Sequence, residues 1–211
     1  MLVKSQDLQD LYYNFIKLES SGIGLDKKSK SSLERTDLSI EYFDKMAQEI
    51  NTKSYRYIPY KENLILKGRN SFPRVISIPT YRDKIVLKYL SKELLNNYYS
   101  GFSLELAQEK IEKICYQLDS YEYFIKLDLV GFYDNINHHI LLRKLEVSGC
   151  PEEVLTLIEN AISNPTVHSE SSRYEKNLKN IKGVNQGLSI SSIINFPFKV
   201  GFSYSFLSFS S

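Results

Sequence analysis

The run of residues from 122 to 129 is the part of the sequence that most constrains the fold. Its sequence, EYFIKLDL, is dominated by aromatic and branched apolar side chains and predicts a buried strand. Asp128 lies at the end of this strand, shortly before a turn at Gly131. A carboxylate is costly to bury there unless it is hydrogen-bonded, paired or bound to a cation. Two interpretations stay open: a Mg²⁺ site formed by Asp128 and the Leu129 carbonyl, or a cap for the following helical turn.

Helical and strand patterns around this run predict an α+β fold without an obvious interdomain linker. Residues 57–67 and 74–78 have strand-like patterns and are joined by a polar turn, which predicts a hairpin. A polar stretch, residues 163–182, predicts a ribbon or loop. Apolar periodicity predicts helices at about 3–19, 37–50, 83–98, 103–118, 140–147 and 151–162. In the second helix we expect Asp37 to be the cap and Ile40 to face inward.

The distribution of charge is uneven, although the formal net charge of the chain is only +2. Residues 51–92 contain ten bases and two acids, a net charge of +8, so the other 169 residues carry −6. Six aromatic residues are interleaved with these bases: Tyr55, Tyr57, Tyr60, Phe72, Tyr81 and Tyr89. Clustered bases with stacking rings are typical of a surface that follows a phosphate backbone. The alternative is a solvated surface whose counter-charges come from elsewhere in the fold.

Composition excludes several classes of protein. Of the 211 residues, 42% are hydrophobic and 25% charged, as in a folded globular protein. Two cysteines, Cys115 and Cys150, provide no metal framework and favour a reduced, cytoplasmic protein. The N-terminus lacks the apolar core of a signal peptide, and no apolar run is long enough for a membrane span. We therefore expect no membrane partner.

Two further segments hold candidate functional residues. Gly183 and Gly187 flank Gln186, so the backbone there can approach a ligand closely while the amide bonds a base or sugar edge; an ordinary loop is the alternative. Asp134 and the following Asn are expected to cap the helix at 140. His138 and its neighbour His139 are adjacent, point in different directions, and are expected to be packing or surface residues.

Taken in order, four segments resemble motifs of the reverse transcriptase family, particularly its bacterial group II intron, retron and phage-defence branches. Residues 74–84 resemble the fingers motif R-x-I-x-I-P with a following Asp and base, and residues 99–107 resemble S-x-G-F-(x)n-A. The stretch 126–134 resembles the first palm motif, and 183–192 resembles G-x-P-Q-G-x(3)-S-P. The likeness covers about residues 50–195. It implies an RNA-directed DNA polymerase that adds dNTPs to a primer 3′-hydroxyl by two-metal phosphoryl transfer.

The resemblance implies a role for each matching residue. Asp128 matches the palm aspartate that binds both catalytic Mg²⁺ ions, and Tyr133 matches the aromatic residue beneath the incoming sugar. Gln186, with Gly187 beside it, matches the contact to the incoming nucleotide. The implied partners are an RNA template, a DNA or RNA primer and dNTPs, with a structured non-coding RNA as a further candidate.

The +8 segment matches the fingers, which close over the nucleotide and guide the template. Within it, Arg74 and Lys67 match bases that hold the triphosphate.

The sequence also departs from the family pattern. Asn185 and Ser192 replace prolines, and Val130 stands where intron-type enzymes often carry Lys. No Asp-Asp pair occurs anywhere in the chain, although the family's next palm motif is aromatic-x-Asp-Asp. We therefore expect a truncated, inactive chain that holds the fingers and part of the palm of a right-hand polymerase, without the thumb and the second half of the palm. The expected divisions are a helical extension (1–50), fingers (51–120), partial palm (121–195) and an aberrant tail (196–211).

Two other functions remain open. One is a non-catalytic nucleic-acid-binding protein that uses the fingers surface without chemistry. The other is a template-independent or protein-primed nucleotidyltransferase of the phage-defence kind.

Overall fold

The computed structural model describes residues 3–18, 22–35, 39–69, 72–98, 107–117 and 130–194. In chain order the longer helices are α1 (Ser5–Leu11), α2 (Lys30–Arg35), α3 (Ile40–Asn51), α4 (Tyr81–Glu93), α5 (Ala107–Gln117), α6 (His138–Val147) and α7 (Glu152–Ser163). Two short helices follow, α8 (Arg173–Asn177) and α9 (Ser191–Ile194). The strands are β1 (Tyr60–Ile65), β2 (Arg74–Ile78) and β3 (Thr166–Val167). The predicted α+β class is confirmed.

The N-terminal helices α1 and α3 pack with α4. One π-helical segment, Tyr12–Ile16, extends α1, and another, Leu94–Tyr98, extends α4. In α3, Phe43, Met46 and Ile50 are buried at helical spacing, as the periodicity predicts. The expectation for Ile40 is wrong: it begins the helix and is 68% exposed.

The cap of α3 is Ser39, whose hydroxyl accepts the Tyr42 N–H. The prediction placed this cap at Asp37, whereas the cap is Ser39, two residues further along the chain.

The predicted hairpin is confirmed as an antiparallel pair in which Ile65 faces Arg74 and Lys61 faces Ile78. Strand β3 adds to the other side of β1 in parallel, giving the order β2-β1-β3. The Tyr60 hydroxyl donates to the Ala161 carbonyl and joins this sheet to α7. The sheet therefore rests on the helical core at one end.

Four other expectations are corrected or lie outside the described residues. The polar stretch 163–182 contains β3 and α8, and α8 begins with a capping box formed by Ser172 and Glu175. Asn137 caps α6 by accepting the Ile140 N–H, a role predicted for Asp134 and its neighbour. The predicted strand at 122–129, with Asp128 and Leu129, lies outside the described residues, as do residues 99–106 of the second motif.

A single apolar core runs from Val3 to Ile194 through the described elements. The predicted division between residues 50 and 51 crosses this core and stays a prediction. Within the described parts of the chain, no helix has the length and apolar character needed to cross a membrane.

Candidate nucleotide and nucleic-acid site

The hairpin presents the two predicted triphosphate-binding residues at the surface. Arg74 begins β2 and is exposed, and Lys67 is exposed two residues beyond the end of β1. Alternate residues of a strand share a face, so Arg74 lies on the same face of β2 as Ile76 and Ile78. That face receives two other parts of the chain. Gly22 lies against the Ile78 side chain, and Gly187 lies against Ile76.

The +8 segment is less basic at its surface than its composition indicates, because several of its bases have partners within the fold. Arg82 pairs with Glu49 and lies 4.4 Å from the centre of the Tyr55 ring. Three other bases contact groups of the same chain: Lys84 the Gly22 carbonyl, Lys88 the Phe15 ring, and Lys53 the Glu152 carboxylate in an exposed ion pair. The exposed bases of the hairpin, Lys67, Arg69 and Arg74, remain available to a phosphate backbone.

The stacking interpretation of the interleaved aromatic residues is wrong for five of the six. These five are buried in the core: Tyr55, Tyr57, Tyr60, Tyr81 and Tyr89. Phe72 is 95% exposed, just before β2. The rings of Tyr55 and Tyr57 pack edge to face, 5.1 Å apart. The five tyrosines are therefore core residues, and Phe72 is the exposed ring of the six.

The turn that follows Val130 carries Tyr133 at the start of a 3₁₀ turn, Tyr133–Asn135. Tyr133 is half-buried, and its ring packs against Phe132. The Tyr133 carbonyl accepts the Val184 N–H at 2.8 Å, and the Ile136 carbonyl accepts the Gly183 N–H at 2.8 Å. This turn is therefore hydrogen-bonded directly to the loop of residues 183–187, the glycine-rich loop.

His138 adds a further link between the two segments. Its Nε2 lies 2.6 Å from the Gly183 carbonyl. His138 is half-buried, between the two roles expected for it, packing and surface exposure.

The loop from Gly183 to Gly187 lies between the turn and the hairpin. Gly183 and Gly187 both have positive φ, +82° and +97°. A Cβ at Gly187 would lie 2.6 Å from Ile76 Cγ2 and 3.0 Å from the Ser77 carbonyl oxygen, so only glycine fits. The Gln186 carbonyl accepts the Ser77 N–H at 2.8 Å. Gly187 thus gives the loop its close approach to β2, and Gly183 lies against the backbone of Asp134 in the turn.

Three of the sequence-predicted segments therefore meet: the strand with Arg74, the turn with Tyr133 and the loop with Gln186 and Gly187. Lys67 lies further along the hairpin, beyond the Ile65–Arg74 pair. Asp128 and Leu129 lie outside the described residues, which resume at Val130. Across the described ranges, no three His, Cys, Asp or Glu side chains form a group that could hold a metal ion.

Sequence reasoning missed the role of Asp83, which is fully buried at the base of the hairpin. Its carboxylate accepts hydrogen bonds from the Tyr55 hydroxyl at 2.8 Å, the Thr80 hydroxyl at 2.8 Å and the Ile58 N–H at 3.2 Å. Burial raises the pKa of Asp83 to about 6, and these hydrogen bonds oppose the rise. Thr80 also accepts the Asp83 N–H, and the T-x-x-D spacing was the available signal for a helix start.

A second missed feature is the side chain of Asn185. It bonds to three groups around α7 and β3: the Asn164 carbonyl, the Asn180 amide and the Thr166 hydroxyl. Its only sequence signal was the replacement of a motif proline.

Residues 61–196, more than half of the chain, match the sequence model of the family described as reverse transcriptase (RNA-dependent DNA polymerase), and the chain belongs to that family. The chain is 26% identical over 190 residues to the COX1/OXI3 intron 2 protein of Saccharomyces cerevisiae, covering 86% of this chain and 21% of that protein. It is 23% identical over 202 residues to the COX1/OXI3 intron 1 protein of the same yeast, covering 92% and 23%.

The chain thus spans about a fifth of the length of the curated relatives it matches. The three-strand sheet and its helices are compatible with a fingers and palm region. The narrower likeness to bacterial branches stays a prediction, because the matched relatives are yeast proteins.

Proposed function

We propose that this chain forms the nucleotide- and template-binding part of an RNA-directed DNA polymerase. The observation that carries the proposal is the position of the glycine-rich loop. It is hydrogen-bonded to β2 through Gln186 and Ser77, and to the turn that follows Val130 through Val184 and Tyr133. Family membership supports the same function, because reverse transcriptases bind an RNA template and a primer.

Each predicted residue has a proposed task in this arrangement. Arg74 and Lys67 bind the triphosphate, since exposed guanidinium and ammonium groups on one hairpin suit a polyanion. Tyr133 lies beneath the sugar, where its ring limits the space at the 2′ position. The side-chain amide of Gln186 contacts the nucleotide, and Gly187 keeps that loop close to β2.

Reverse transcriptases generally use Mg²⁺. In the proposed site, Asp128 and the Leu129 carbonyl would bind the metal, which would favour loss of the primer hydroxyl proton and stabilise charge on the phosphate. One carboxylate cannot hold two Mg²⁺ ions against their dehydration, and no Asp-Asp pair occurs in these 211 residues. We therefore propose that the chain by itself binds substrate without extending a primer.

Binding to a labelled RNA–DNA primer–template, followed by fluorescence anisotropy across salt concentrations, tests this function. Because both bases are also exposed to a phosphate backbone, Lys67→Ala and Arg74→Ala should each weaken this binding several-fold and reduce the salt slope by about 1. Lys92→Ala is the matched control, because it removes an exposed base on α4 away from the hairpin. Equal effects of all three variants would refute hairpin binding.

Primer extension with dNTPs and Mg²⁺ tests the chemistry separately. We expect no incorporation by the 211-residue chain. Incorporation that Asp128→Asn abolishes would overturn the expected inactivity while supporting polymerase chemistry.

The exposed tip of the hairpin favours a second candidate function. Phe72 lies two residues before Arg74, on a hairpin whose connection carries Lys67 and Arg69. An exposed ring near exposed bases suits a single strand whether or not chemistry follows. A non-catalytic nucleic-acid-binding protein would bind with the same affinity after Asp128→Asn and without Mg²⁺. Loss of affinity in either condition would exclude that candidate.

A further inference from the structure

The loop that carries Gln186 is held by a chain of polar contacts centred on Asn185. Asn185 Nδ2 donates to the Asn164 carbonyl at 2.8 Å, and Oδ1 accepts from Asn180 Nδ2 at 3.2 Å and from the Thr166 hydroxyl at 3.4 Å. Asn164 follows α7 and Thr166 begins β3, so one half-buried side chain joins the loop to the region beside the sheet.

The contacts continue from Thr166 into the hairpin. The Thr166 and Ser77 hydroxyl oxygens are 2.6 Å apart. A hydroxyl has one proton, so a Thr166 that donates to Asn185 must accept from Ser77. The order of donation is therefore Ser77 to Thr166 to Asn185, across residues that are 89 and 19 positions apart in the sequence.

Hydrogen bonds from Ser191 and Ser77 also hold the backbone at Asn185 and Gln186. The Asn185 carbonyl accepts the Ser191 hydroxyl at 2.7 Å, and the next carbonyl, that of Gln186, accepts the Ser77 N–H at 2.8 Å. Ser77 thus contacts the loop twice, through its backbone directly and through its hydroxyl by way of Thr166. A shift of β2 would disturb both contacts.

We propose that Asn185 is a positioning residue that couples the Gln186 loop to strand β2 of the hairpin. Where the family motif has a proline, whose ring fixes the backbone covalently, this chain holds the loop by hydrogen bonds to neighbouring elements. The order of the loop then depends on the position of the hairpin. The importance of the coupling for a nucleotide rests on the proposed function of Gln186, whereas the coupling itself does not.

Backbone amide hydrogen exchange of the full chain, followed by NMR, tests the coupling. The reporters are the amides of Ser77, which donates to Gln186, and Val184, which donates to Tyr133. In Asn185→Ala both should exchange about 10- to 100-fold faster, because three side-chain hydrogen bonds to the loop are lost. The amide of Leu87 in α4 should exchange as in the unchanged protein.

Two further variants keep the result decisive. Thr166→Val has nearly the same shape, loses only the hydroxyl, and should speed exchange at Ser77 even if Asn185→Ala fails to fold. Asn177→Ala removes an exposed asparagine of α8 and is the matched control, with no expected change. Unchanged Ser77 and Val184 exchange in the folded variants would overturn the proposal. Equal acceleration at Leu87 would overturn it too, because the role would then be general stability.

Primer extension separates this proposal from the proposed function. If the unchanged chain incorporates dNTPs, Asn185→Ala should raise the KM for the nucleotide more than it lowers kcat, and an unchanged KM would contradict positioning. If the unchanged chain incorporates none, the exchange measurement alone decides the coupling.

Discussion

Tyr55 and Tyr57 offer a test of what holds the hairpin onto the helical core. Both rings are buried, with exposed fractions of 0% and 8%, and they pack against each other. The Tyr55 hydroxyl donates to the Asp83 carboxylate at 2.8 Å. The Tyr57 hydroxyl is buried with no hydrogen-bond partner among the described residues. The changes Tyr55→Phe and Tyr57→Phe therefore remove the same atom from neighbouring sites with opposite hydrogen-bonding status.

The structure gives the size of each effect. A hydrogen bond to a charged group contributes about 1.5–3 kcal/mol, so Tyr55→Phe should lower the free energy of unfolding by about 2 kcal/mol at pH 7.5. For a chain of this size that corresponds to a fall in Tm of about 4–8 °C. Tyr57→Phe removes a buried hydroxyl that has no partner, so it should be neutral or stabilise by about 1 kcal/mol. The two free energies should differ by about 2–3 kcal/mol.

The pH dependence of the free energy of unfolding tests the same hydrogen bond. Burial raises the pKa of Asp83 to about 6, so at pH 5 the carboxyl is mostly protonated. The Tyr55 hydroxyl then bonds a neutral group, and the cost of Tyr55→Phe should fall to about 1 kcal/mol. Tyr57→Phe should show little change between the two pH values.

Urea unfolding followed by far-ultraviolet circular dichroism measures these differences, provided that the slope with denaturant stays constant among the variants. Equal losses of stability in Tyr55→Phe and Tyr57→Phe would show that ring packing, and not the bond to Asp83, decides the stability of this region. A Tyr55→Phe cost that is the same at pH 5 and pH 7.5 would refute the assigned role of the charge.

Three further outcomes follow from single contacts. The folded pKa of Asp83, about 6, lies above its ordinary value of 3.8, so the unfolding free energy should fall on the order of 2 kcal/mol as pH rises from 4 to 6. Urea midpoints should show this trend reduced in Asp83→Asn. Gly187→Ala should lower the free energy of unfolding by at least about 2 kcal/mol in thermal melts, since Gly187 has positive φ and an added Cβ would clash with Ile76. Gly149→Ala should cost only about 1 kcal/mol, since Gly149 has positive φ but open space around it. Lys53→Gln should change urea stability by less than about 0.5 kcal/mol, because its ion pair with Glu152 is solvent-exposed; a larger loss would show a role beyond the pair.

Local patterns in the sequence predicted most of the described elements. The hairpin follows from strand-like segments beside a polar turn, and α3, α4, α6 and α7 follow from apolar periodicity, because burying one face of an element imposes its period on the sequence. Several of the errors lie at helix ends. Ile40 fits the period of α3 but stands in its exposed first turn. Caps moved to Ser39 and Asn137 because adjacent polar residues compete for the same role.

Motif order likewise brought Arg74, Tyr133 and Gln186 into one hypothesis before any contact was known, and the glycine-rich loop does join the elements that carry them. The functional roles of these residues, and that of Asp128, stay predictions. No local pattern indicated that Asn185 would bond to Asn164, 21 residues away, because hydrogen bonds between distant segments leave no period in the sequence.

The sequence by itself determined the family, the helices and the hairpin, since each depends on short segments whose residue types are dictated locally. The tertiary structure decided what the charges and rings of residues 51–92 do. Composition made them look like one nucleic-acid-binding surface, yet five tyrosines are core residues and several bases contact groups inside the fold. Packing between distant segments decides which side chains are buried or paired within the chain. Only the side chains that stay exposed and unpaired are available to a ligand.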